Sequence, residues 1–156
     1  MGLLVHHTNF VIERDLPGSP RHAFRFWSEH KNKRQWTSCH PDWTVEEDHL
    51  DFRIDGSERV RWRTPDGTEN GFRATYFDIV PTERIVYGYA MNSGTRQISA
   101  SLVTVEFTPA DQQTRMTYTE QAVFADAADA DIRSSGTGWG FDRLVLAIEQ
   151  SLAVSH

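Results

Sequence analysis

At 156 residues, 38% apolar and 24% charged, the chain has the size and composition of one globular domain that buries roughly two thirds of its unfolded surface without staples. Its formal charge of −6 speaks against the clustered basic face that phosphate backbones require, so nucleic acid is not an expected partner. Cys39 is the single cysteine, which excludes an intramolecular disulfide; with no leader-like start and no apolar run near the ~18 residues of a membrane span, the expected setting is the cytoplasm.

Thr8 to Asp15 reads as a first strand, closed by Pro17-Gly18. Ser19-Pro20 then has the form of a helix start, with Ser19 as N-cap and proline where a missing N–H costs nothing. Ala23, Phe24 and Trp27 share one face of that helix, and Lys31 to Trp36 reads as a second short helix anchored through Trp36.

From Trp43 to Phe124 the apolar period changes to two, with breaks at Asp55-Gly56, Pro65-Asp66-Gly67, Pro81-Thr82, Asn92 to Gly94 and Pro109 to Gln113. Five or six strands in an antiparallel meander are expected. Ser101, Val103, Val105 and Phe107 fall on one face of their strand; Met116, Tyr118, Ala122 and Phe124 do so on the next, and Glu120 shares their face. Ala125 to Ser135, rich in Ala and Asp, reads as a mobile connector or a weak helical turn. Thr137-Gly138 then opens a last helix to about Ala153, with Phe141, Leu144, Val145, Ile148 and Leu152 at helical spacing. About sixteen residues at 1.5 Å each give roughly 24 Å, enough to lie across a sheet. The whole chain, 1–156, is expected to form a single α+β domain with its core over about 8–153.

Several segments in this order resemble a known family. They are Phe10-Val-Ile-Glu-Arg14, Ser19-Pro-Arg-His-Ala-Phe24 leading to Arg34-Gln-Trp36, and Pro65-Asp-Gly67. They continue in Tyr76 to Tyr87, in Val103 to Pro109 with Thr114, and in Gly138-Trp139. Together they are similar to the bacterial branch related to the heat-shock protein 90 ATPase activator, within the START-like (SRPBCC) superfamily. That resemblance implies the helix-grip fold, also found in the birch pollen allergen: a curved sheet of about six or seven strands around a long C-terminal helix. It implies a cavity more than an activity, since such proteins include ligand carriers and cyclases.

The inward faces supply the expected ligand-binding residues. Trp62, Phe72 and Tyr76 come from the earlier strands, Tyr87, Tyr89 and Met91 from the middle, and Phe107 and Tyr118 from the later ones; Trp36, Trp139 and Phe141 close the pocket from the helices. Glu120 is the sharpest single candidate, because a carboxylate on an apolar face must be paired, protonated or solvated. Glu58 has the parity of Val60 and Trp62, and Asp78 that of Tyr76, so either could join it. Arg59, Arg61, Arg63 and Arg73 form an outer stripe read as a solvated face balanced by Glu106 and aspartates.

The seven histidines show no metal-ligand spacing, and no nucleophile elbow, phosphate loop or dinucleotide fingerprint is present, so neither metal nor cofactor is expected. Cys39-His40 is a poor nucleophile pair, since adjacent side chains of an extended segment point apart. Three readings follow. The first is a carrier of a small apolar or aromatic molecule. The second is a cyclase, dehydratase or hydrolase with Glu120 as acid or base, and the third a co-chaperone-like module working through its outer surface. A homodimer covering a sheet edge fits any of them.

Overall fold

The structure, a computed structural model, describes residues 5–154. Its elements are β1 (His6–Pro17), α1 (Pro20–Ser28), α2 (His30–Thr37), β2 (Thr44–Leu50), β3 (Ser57–Arg63), β4 (Glu69–Val80), β5 (Arg84–Ser93), β6 (Arg96–Ala110), β7 (Gln113–Phe124) and α3 (Ala127–Val154). All seven strands join one antiparallel sheet in the order β1-β7-β6-β5-β4-β3-β2. The helix-grip arrangement implied by the resemblance is the one observed.

Local chemistry sets most of these elements. Along β1 the side chains of Phe10, Ile12 and Leu16 turn inward, with Phe10 opposite Glu120 and Ile12 opposite Tyr118 of β7. Gly18, at φ +81°, makes the turn after Pro17. The Ser19 hydroxyl then accepts from the His22 N–H at 3.2 Å, with Pro20 in the first turn. α1 buries Ala23, Phe24, Phe26 and Trp27. α2 follows almost at once and is held to α1 by Trp36, whose indole N–H donates to the Phe26 carbonyl at 2.8 Å. The β6–β7 hairpin turns at Asp111 and Gln112, both at positive φ, the geometry that matches the right-handed twist of the strands.

The core sits where the concave sheet meets α1 and α3, with Leu16, Ile85, Val103, Met116, Leu144 and Ile148 all fully buried. Val103, Val105 and Phe107 lie inward as their alternation requires, as do Met116, Tyr118, Ala122 and Phe124.

Three expectations are corrected. Of the two readings of Ala125 to Ser135, the mobile connector is overturned and the helical turn holds: residues from Ala127 onward are the first turns of α3, which runs 28 residues, about 42 Å, rather than starting at Thr137. Ser134, Ser135, Gly136 and Gly138 are poor helix formers, but Ala130 and Arg133 gain tertiary contacts there that outweigh propensity. Asp78 does not share the face of Tyr76. The β4–β5 register shifts between these residues, and Asp78 instead pairs with Arg84 at 2.8 Å on the surface. The arginine stripe is balanced not by Glu106 but by Glu46, Glu47 and Glu69, which face Arg61 and Arg63 at 3.0–3.8 Å.

Candidate functional site

Between the concave sheet, α2 and α3 lies a cavity of about 390 Å³. Its size is that of a small-ligand pocket. The sheet wall carries Trp62, Phe72, Tyr87, Tyr89, Met91 and Tyr118. On the α2 side stand Lys33, Trp36, Thr37 and, just beyond the helix, Cys39. α3 contributes Ile132, Arg133, Gly136, Gly140, Phe141 and Arg143. The space next to α3 owes much to its glycines: a Cβ added at Gly136 would meet nothing within 4 Å. At the rim Trp43 stacks on Trp62, with centroids 6.1 Å apart and planes 11° from parallel.

Of the residues expected to bind a ligand, Trp36, Trp62, Phe72, Tyr87, Tyr89, Met91, Tyr118 and Phe141 are brought to this cavity. Tyr76 is buried one layer back, and Phe107 packs against Phe24 and Trp27. Trp139 does not close the pocket: its side chain is 74% exposed on the outer side of α3.

Two buried polar clusters support the wall. In the first, Glu58 of β3, only 2% exposed, accepts from Lys33 Nζ at 2.6 Å, from Arg34 Nη1 at 2.7 Å and from the Tyr76 hydroxyl at 3.0 Å. Arg34 also pairs with Asp48 at 2.7 Å, and His30 reaches the same carboxylate. Burial by itself would raise the Glu58 carboxyl, but Lys33 and Arg34 together overcome it and hold the group below its ordinary range. Desolvation pulls Lys33 the other way, below the usual lysine value, against the pull of Glu58. The ammonium also lies 5.5–5.9 Å from the ring centres of Trp27, Tyr76 and Tyr87, within cation–π range.

The second cluster surrounds Glu120, which is fully buried. One of its oxygens accepts from the Tyr89 and Ser101 hydroxyls, each at 2.7 Å, and the other from the Tyr118 hydroxyl. Arg133 of α3 donates to Tyr89 at 2.9 Å and to Ser99 at 2.8 Å, and lies 3.7 Å from Glu120. Burial first and then Glu120 push the Tyr89 phenol well above its ordinary value, and burial, then Tyr87, Tyr89 and Glu120, do the same for Tyr118, so both remain hydrogen donors at neutral pH. Glu120 therefore stands behind the tyrosines of the wall, orienting them rather than facing the cavity.

Sequence reasoning missed Lys33, Arg34, Trp27 and Arg133. Lys33 stands three residues before Trp36, on the same helical face, and that spacing was the available signal. Arg133 lay in the segment read as a connector, and no sequence signal marked it. Cys39 is half-buried at the wall, and burial pushes its thiol above the usual value, the opposite of an activated nucleophile. Among the described residues no group of three or more His, Cys, Asp or Glu is placed to hold a metal.

The family described as Activator of Hsp90 ATPase homolog 1-like protein matches residues 17–149. The chain belongs to that family. Among solved structures, an uncharacterized protein from Rhizobium leguminosarum is 43% identical with a TM-score of 0.88, over 94% of this chain and 97% of that one. A Rhizobium loti protein is 38% identical with a TM-score of 0.85, over 92% of this chain and 99% of the other. A Staphylococcus aureus protein of unknown function, 18% identical, keeps a TM-score of 0.78 over 96% and 98% of the two chains, a likeness of fold alone. No curated protein matches.

Proposed function

We propose that this member of the Hsp90 ATPase activator homologue-like family binds a small apolar or aromatic molecule in the cavity between its sheet and its helices. The observation that carries the reading is the cavity of about 390 Å³ walled by rings from β3, β4, β5, β7, α2 and α3. Rings that merely filled a core would interdigitate and leave no such volume. The tyrosines and Lys33 are fixed by buried hydrogen bonds, so the pocket is preformed, which lowers the ordering cost of binding. Glu120, screened by Tyr89 and Tyr118, supports the wall in this reading and has no acid or base role.

Native mass spectrometry of freshly purified protein, followed by denaturing extraction, tests the proposal. A stoichiometric small molecule that leaves on unfolding is the expected result. Protein that emerges empty and gains no thermal stability from any member of an apolar and aromatic library would remove it.

The setting in this reading is the cytoplasm, in keeping with the single thiol of Cys39; no helix among the described residues is long and apolar enough to cross a membrane. The family's description favours a chaperone-linked role as the second reading, acting through the outer surface. An unchanged chaperone ATPase rate in the presence of the purified protein would remove that role. A homodimer would use one of the two sheet edges, β1 or β2, whose outer backbone groups have no strand partner among the described residues; a monomer in sedimentation would remove it.

A further inference from the structure

The polar groups around the cavity are unbalanced in one direction. The carboxylates are already taken: Glu58 receives Lys33, Arg34 and Tyr76, and Glu120 behind the wall receives Tyr89, Tyr118 and Ser101. Donors are left over. Trp27 lies on the wall at 1% exposure, and its indole N–H has no acceptor among the described residues. A buried donor without a partner is rare and costly in a folded protein. The Lys33 ammonium has three protons, of which Glu58 and Tyr76 take two. The guanidinium of Arg133 has five N–H groups and, among the described residues, gives hydrogen bonds only to two neutral hydroxyls, while Glu120 stays 3.7 Å away.

Charge points the same way. The cavity is lined by four cations, Lys33, Arg34, Arg133 and Arg143, against one carboxylate, Glu58. Asp48 and Glu120, from outside the lining, offset Arg34 and Arg133. Arg143, exposed at the α3 rim, makes no ion pair among the described residues. Around Lys33 and Arg133, which are held within the wall, the low dielectric strengthens the attraction for an incoming anion, while exposed Arg143 adds a screened attraction at the rim.

We propose that the ligand of this cavity is an apolar, ring-bearing acid: a hydrophobic body carrying one anionic group that only accepts hydrogen bonds, a carboxylate or a sulfonate. The rings of the wall take the body, and the surplus N–H groups and Arg143 take the anion. This inference rests on the binding reading above and sharpens it.

Two dyes that share one apolar skeleton separate the two claims. Anilinonaphthalene sulfonate carries an anion, and N-phenylnaphthylamine is its uncharged parent. Fluorescence titration at low ionic strength is expected to show the sulfonate binding about tenfold tighter or more. Arg143→Gln, at an exposed position, is expected to reduce that preference severalfold. Equal or tighter binding of the parent, or a preference that Arg143→Gln does not change, would overturn the acid and leave the pocket standing. Failure of both dyes to bind would overturn the acid together with the pocket.

Discussion

Glu58 and Lys33 form an ion pair with less than a tenth of either side chain in contact with water. Removing one partner of such a pair leaves the other's charge buried and uncompensated, typically at a cost of about 3–5 kcal/mol. Arg34 can still neutralise Glu58, so Lys33→Met is expected at the low end of that range and Glu58→Gln, which strands Lys33 and leaves Arg34 with Asp48 alone, at the high end. Replacing both Lys33 and Glu58 with methionine should recover much of the loss. Urea denaturation of the three variants checks the order, and a double variant as unstable as Glu58→Gln would refute the pairing as its cause. The pH dependence follows from the same carboxylate. Its folded pKa lies below the unfolded value of 4.5, so its contribution is complete above that value and lost as pH falls through the folded pKa. Thermal melts should therefore show acid destabilisation starting just below about pH 5 that is weaker in Glu58→Gln.

At the scale of elements, α3 combines two kinds of turn. From Gly140 onward Phe141, Leu144, Ala147 and Ile148 hold it to the sheet, whereas its N-terminal half contains serines and glycines that disfavour helix. That half is secured from outside, by Arg133 on Tyr89 and Ser99 and by Arg96 near Asp129 at 3.5 Å. Gly136 lies in the helix interior, and a Cβ there meets open space. Gly136→Ala is accordingly expected to stabilise the protein by about 0.5–1 kcal/mol, a rise in Tm of roughly 1–4 °C by calorimetry. No gain would mean that the added methyl is opposed by something other than helix propensity. The sheet was more legible than this helix because alternation is a local signal. The residue whose face was misread there, Asp78, sits beside a register shift that reverses parity without any mark in the sequence.

Across the whole molecule, the cavity exists because a curved sheet and a long straight helix diverge, and small residues at Gly136 and Gly140 leave the gap unfilled. A ligand that occupies it at a hundredfold excess over its dissociation constant should stabilise the fold by about 2.7 kcal/mol, which melting curves at graded ligand concentration would read directly. The sequence by itself determined the order of the strands and helices, the Ser19 cap, and the inward faces of β6 and β7 with Glu120 among them, because each depends on periods and caps within a few residues, whereas the burial of Glu120 needed the closed sheet. Only the tertiary structure decided which charges meet. Lys33 and Glu58 are 25 residues apart, and Arg133 and Tyr89 are 44 apart. Whether such a side chain is paired, stranded or turned to water depends on how the sheet closes on α2 and α3. The same closure left the Trp27 N–H without an acceptor and Trp139 in solvent.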